Sequence, residues 1–376
     1  MTMEQMKIEG SGNADKNEPV LEYQKPAATV IQHAPGSDTT KKIEETRKKI
    51  DALEDKPKKS SISRMVGNVP EPLKQKVFKN YFENIFFDKQ KEKHERKKTP
   101  VEMEILSLIN KMTNEVLQKY GLPVFDIPPE NNHVVYKQFF EGTKWGGQHD
   151  PALQENAIQE NPVRLSFMKG AFHENLHFKS YADWQILRNE THNAMLSRLG
   201  LMVITRDEGK ILFQNLNEAV TEAMTKKYAS GLFSHPLFKK ERGETRREIA
   251  NQPAGSFNED EQYYIHKKIS IYNIKKMLLG KSGREYKVES FTYPEERKIL
   301  NILINKLFVK NPGKFKDENE IMEMFEKAML TGNINSIGKL IDKTFPKKNP
   351  VENGTFRRIG EMGEDTEKLS AFVNAL

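Results

Sequence analysis

The sequence predicts an α+β protein, with a small twisted sheet packed on helices and a largely helical C-terminal part. Three observations carry this expectation. Apolar residues recur at helical spacing over 72–93, 99–121 and 163–181. A β-branched and aromatic run, 132–140, breaks that period between Pro129 and Gly142. Two short apolar runs, 201–205 and 210–213, flank Arg206-Asp207-Glu208-Gly209, which reads as a hairpin with glycine in its turn.

The elements follow in order. Residues 1–70 are rich in Lys, Glu, Asn, Ser, Pro and Gly, a composition that buries too little apolar surface to offset the entropy of ordering, so they read as a disordered tail. One short helix is expected inside it, over 39–53, where charges of both signs alternate. Leu73, Val77, Tyr81, Ile85 and Phe86 then mark one face of a helix. The next helix starts with Thr99 as cap, Pro100 in the first turn and Glu102 placed to complete a capping box; Gly121 ends it. After the 132–140 strand, 142–151 reads as a loop and 153–159 as a weaker strand. A helix over 163–181 stacks Leu165, Met168, Phe172 and Leu176. A further helix is expected from Ala182 to Gly200, then the hairpin, then a helix over 216–228. Beyond Asn251 the chain reads as mostly helical. The division expected is a tail, 1–70, a body carrying the chemistry, 71–250, and a helical lobe, 251–376.

Composition removes several classes of function. The chain has 376 residues, 36% hydrophobic and 30% charged, enough for a sizeable core. It has no cysteine, which excludes disulfides, thiolate ligands and a thiol nucleophile; any metal must be held by histidine and carboxylate. No apolar stretch reaches the roughly 18 residues of a membrane span, and the N-terminus lacks the apolar core of a signal peptide, so a cytoplasmic setting is expected and no membrane partner. The net charge of +7 comes largely from short lysine runs. These read as solvated helix ends and tails rather than as a nucleic-acid surface.

The chemistry concentrates in Phe172-His173-Glu174-Asn175-Leu176-His177. Four-residue spacing on a helix puts both imidazoles on one face, one turn apart, where they can reach one ion. Glu174, about 100° round the helix from His173, points beside such an ion, where a base must stand. A second element follows, Leu216-Asn217-Glu218-Ala219-Val220-Thr221-Glu222, on another predicted helix. Glu218 and Glu222 share a face, and like charges there repel unless one binds a cation. The other can then hold a ligand imidazole by its free ring N–H.

This pair of motifs resembles the gluzincin metallopeptidases, the thermolysin-like zincins. The resemblance spans residues 165–228 and implies a zincin-like sheet packed on the active-site helix. It implies Zn2+ held by His173, His177 and Glu218, Glu174 as general base, and Glu222 behind a histidine, where an aspartate is commoner. It implies peptide-bond hydrolysis, with a peptide or protein as partner and an edge strand pairing with extended substrate. For the oxyanion donor such sites use, the candidates are Tyr293, ahead of a proline at a helix start, and His266, on an expected amphipathic helix. Two rivals stand beside the peptidase: a zincin scaffold kept for binding or regulation, and an effector protease with one protein target. The intact Glu174 argues against the first.

Overall fold

The computed structural model describes residues 93–142, 146–151, 154–186, 194–205, 209–250, 262–267, 286–347 and 353–376. All belong to one compact unit, Ser61–Leu376. The expected tail, its short helix and all but the last residue of the 72–93 helix lie outside the described residues. Mixed α and β elements make up the rest, as the α+β expectation required.

Helix α1 (Pro100–Lys119) begins as its sequence dictates. The Thr99 hydroxyl accepts the Glu102 N–H at 3.2 Å, and Glu102 Oε2 accepts the Thr99 N–H at 2.8 Å. Arg96 then closes on Glu102 and on Glu160, tying the helix start to the sheet below. That sheet has four strands: β1 (Glu95–Arg96), β2 (Asn132–Val135), β3 (Gly147–Asp150) and β4 (Glu155–Gln159). They lie in the order β1-β2-β4-β3, with β2 and β4 parallel and the other pairs antiparallel. The expected 132–140 strand therefore stops at Val135. Beyond it, Lys137–Phe140 form a 3-10 turn that buries Phe140. The expected 142–151 loop contains β3, a strand with no apolar residue, which owes its form to pairing with β4.

Helix α2 (Arg164–Lys179) packs on β3, β4 and α1 and is buried on nearly every side from Ala171 to Lys179. The helix expected over 182–200 is not there. Ala182–Ile186 (β5) and Ala194–Leu199 (β6) are antiparallel strands that continue through β7 (Met202–Ile204) into β8 (Ile211–Leu212). Leu, Arg, Ala and Met favour helix locally, and sheet pairing overrides them. The predicted hairpin thus exists as β7–β8 but belongs to this second sheet, not to the one under α2.

Helix α3 (Gln214–Leu232) lies against α2. A short helix α4 (Lys239–Ala250) follows, then β9 (Gln262–Lys267) paired with β10 (Tyr286–Ser290). These strands interrupt the stretch after Asn251 expected to be mostly helical. From Pro294 onward the reading holds: α5 (Pro294–Val309), α6 (Glu318–Thr331), α7 (Asn335–Thr344), α8 (Thr355–Glu361) and α9 (Thr366–Ala375). A hydrophobic cluster runs from Ile105 in α1 through Phe172, Val220 and Leu303 to Val373 in α9, so the last helices brace α3 from behind. Among the described residues no helix is long and apolar enough to cross a membrane.

Strand register sets a polar ladder beneath α2. Asn132 of β2 sits opposite Asn156 of β4, and Asn156 opposite His149 of β3. Asn156 Nδ2 donates to Asn132 Oδ1 at 2.9 Å, Asn175 of α2 donates to the same oxygen at 3.2 Å, and His149 Nδ1 meets Asn156 Oδ1 at 2.9 Å. An amide oxygen only accepts, so His149 carries its proton on Nδ1. Burial, helped by the nearby His177, pushes the His149 imidazole down to about 3.

The folded chain resists protonation that the unfolded chain accepts near pH 6.5, so this stability is present above pH 6.5 and lost as pH falls toward 3. His149→Gln, which keeps a donor for Asn156, should therefore lose less thermal stability than the parent between pH 6.5 and 4. Equal slopes for the two in calorimetry across that window would rule the assignment out.

Candidate metal centre

Two helices build the site. His173 and His177 project from α2 one turn apart, and Glu218 and Glu222 face them from α3. The α2 residues reach this depth because Phe172, Leu176 and Met168 bury the rest of the helix completely. On α3, Val220, Met224 and Ala219 do the same. Asn217 is held as well: its Oδ1 accepts the Leu201 N–H at 2.9 Å and pins the turn between β6 and β7 to the helix start. The asparagine beside Glu218 is thus structural.

Three ligand atoms converge. His173 Nε2 and His177 Nε2 stand 3.0 Å apart, and each is 3.3 Å from Glu218 Oε2. Tetrahedral bonds of about 2.0–2.1 Å to an ion require ligand atoms about 3.3–3.4 Å apart. The group is therefore close enough to hold one metal ion. Donor chemistry fits too. Glu222 Oε2 lies 2.7 Å from His173 Nδ1; a carboxylate accepts, so Nδ1 carries a hydrogen and Nε2 is the nitrogen left to face a cation. Glu218 brings lone pairs only, and at most one hydrogen fits between the two Nε2 atoms. Such a set suits a shared cation.

The carboxylates respond to this company. Burial alone would raise the Glu218 carboxyl, but the imidazoles of His177 and His173 outweigh it and hold it well below the usual range. Glu222, fully buried, is likewise kept low by His173 against the burial penalty. Burial would lower His173; its bonds to Glu218 and Glu222 raise it well above the ordinary value. Glu174 differs. Burial raises its carboxyl, and His173 and His177 oppose that without reversing it. A carboxylate that holds a proton more readily than usual suits a general base. Among the described residues, His177 Nδ1 is buried with no hydrogen-bond partner, so of the two rings only His173 is held from behind.

Tyr293 arrives from 75 residues beyond Glu218. Its ring stacks on His173, centroids 5.8 Å apart and planes 18° from parallel. Burial, with Glu218 and Glu174 nearby, pushes its phenol far above the usual range, so it stays a neutral O–H that donates to Glu218. It does so from a left-handed backbone, φ 53° and ψ 47°, directly before Pro294. That conformation costs about 1–2 kcal/mol for a residue with a Cβ and is disfavoured before proline. Strain of this kind is kept where the surroundings over-determine it. The other candidate, His266, lies on strand β9 rather than on an amphipathic helix, and its side chain is outside the described residues.

One participant was not anticipated as such. Gly147, which falls in the expected 142–151 loop, sits on β3 against the general-base candidate. A Cβ there would stand 2.5 Å from Glu174 Oε1 and 2.9 Å from its Cδ. The edge strand thus approaches so closely that only glycine leaves the carboxylate its place. Its neighbour Trp145 lies outside the described residues.

No protein-family model matches the chain, and neither a curated protein nor a solved structure is similar enough to it to count as a match.

The Gly147 contact yields a thermodynamic test. Gly147→Ala should destabilise the fold by about 1–3 kcal/mol through overpacking. In a Glu174→Ala background, where the clashing atoms are gone, the same change should cost less than half of that. Urea unfolding of the four proteins measures both terms, and additive effects would show that Gly147 and Glu174 do not compete for space.

Proposed function

We propose that the chain is a zinc-dependent hydrolase of the zincin type, and that its substrate is a peptide bond. The observation that carries this reading is the convergence of His173, His177 and Glu218 at 3.0–3.3 Å with Glu174 and Tyr293 on the same cluster. Two nitrogens and one carboxylate leave a coordination position open, which distinguishes a catalytic from a closed structural site. The choice of zinc follows from that ligand set.

His173, His177 and Glu218 would hold the zinc, which supplies Lewis acidity toward a water and a carbonyl oxygen. The protein's own groups do the rest. Glu174, its proton affinity raised by burial, takes a proton from the attacking water and returns it to the departing amine. Tyr293, neutral at any physiological pH, donates its O–H to the carbonyl oxygen as negative charge develops there. Strand β3, the outer strand of its sheet, offers backbone groups with which an extended peptide can pair beside Glu174. A base held in place by a dedicated glycine favours catalysis over a scaffold kept only for binding. The lack of cysteine suits a cytoplasmic setting, which belongs to the same proposal.

Metal analysis of the purified chain should find about one zinc, absent from a His173→Ala, Glu218→Ala double variant. With a peptide library as substrate, Glu174→Gln should lower turnover by about 10²–10⁴-fold while keeping its zinc. Tyr293→Phe should lower it by about 10²–10³-fold with little change in zinc content. A parent chain that takes up no zinc on titration would end this reading.

A further inference from the structure

Glu222 has two oxygens and both are used. Oε2 takes the His173 Nδ1–H at 2.7 Å, and Oε1 takes the backbone N–H of Thr292, the residue before Tyr293. The carboxylate is completely shielded from solvent, so neither bond competes with water. On the far side, Arg297 Nε donates to the Thr292 carbonyl at 3.0 Å, and the Arg297 N–H caps Tyr293 O at 2.9 Å. The strained turn that presents the phenol is therefore held from one end by α5 and from the other by a single side chain of α3. That side chain is the one behind His173.

We propose that Glu222 is a positioning residue that clamps His173 and the Tyr293 turn together, so that zinc loading and placement of the phenol are one coupled event. The inference rests on the zinc-hydrolase reading and adds to it. A carboxylate is required by arithmetic of donors and acceptors: two N–H groups converge on it, and only a group with an acceptor on each arm satisfies both. Glutamine can accept from one and must turn an NH2 toward the other. Length matters as well, since the side chain spans from α3 to two separate segments. A zinc ion that fixes the His173 ring fixes Oε2, which fixes Oε1 and hence the Thr292 amide. Coupling of this kind is reciprocal, so losing the clamp weakens zinc binding too.

Amide hydrogen exchange at Thr292 reads the clamp directly, without a substrate. In the parent, saturating zinc should slow Thr292 exchange by about tenfold or more relative to the metal-free chain. In Glu222→Leu, which offers neither N–H an acceptor, the Thr292 amide should exchange at least tenfold faster than in the parent, zinc should no longer slow it, and zinc affinity should drop by about 10–100-fold. Tyr293→Phe, which leaves both Glu222 bonds intact, should keep parental Thr292 exchange and its zinc dependence. A parent that binds one zinc yet shows the same Thr292 exchange with and without it overturns the coupling, and this comparison decides alone if Glu222→Leu does not fold. Failure to bind zinc at all sinks the hydrolase reading instead. The backbone half of the clamp then stands or falls on whether Glu222→Leu frees the amide.

Discussion

Everything in this structure depends on keeping the C-terminal half of α2 buried although it carries His173, Glu174 and His177. His173, Glu174 and His177 are each less than a tenth exposed. Desolvating such groups separately would cost several kcal/mol apiece, and the interior tolerates them only in mutual company. The company comes from α3, whose Glu222 is fully buried and Glu218 partly buried against them. Removing one partner would leave a charge without compensation, so the pair of helices forms one electrostatic unit. The apolar faces of both helices, running into the α5–α9 cluster, supply the burial that makes this arrangement sustainable.

The sheet side answers the same constraint with neutral groups. Asn132, Asn156, Asn175 and a neutral His149 pass hydrogen bonds from strand to strand and up into α2 without adding charge. A buried polar network of that kind fixes register, since a one-residue slip would turn every member to the other face. The outer strand β3 is thereby locked where Gly147 meets Glu174. Placement of Glu174 is thus a property of strand register as much as of the helix that carries it.

What was legible in the sequence is what local spacing encodes. The two histidines one turn apart, the glutamate between them and the repelling pair Glu218 and Glu222 are patterns confined to four residues of sequence, and each survives into three dimensions. So is the Thr99–Glu102 cap. The misread segments are those decided by distant pairing. Gly147–Asp150 has no strand-forming residue and becomes a strand only because β4 lies beside it. Ala182–Leu199 has helix-favouring residues and folds into β5 and β6, which pair with a shift between Asp183 and Trp184. Tyr136 to Phe140 is aromatic enough for a strand, yet it coils to bury Phe140. Tyr293 stood beside His266 as an equal candidate, because its contacts to Glu222 and Glu218 cross about seventy residues of sequence and leave no periodic trace.

That same long-range contact gives a reason for a glutamate at position 222. An aspartate at position 222 would have one fewer methylene with which to reach across from α3. The glutamate found here carries its carboxylate far enough to engage an imidazole on α2 and a backbone amide ahead of α5 at once. The Tyr293 turn needs such an anchor because its left-handed, pre-proline backbone is unfavourable by itself. Read this way, the longer acid and the strained tyrosine are two halves of one arrangement, each unexplained without the other.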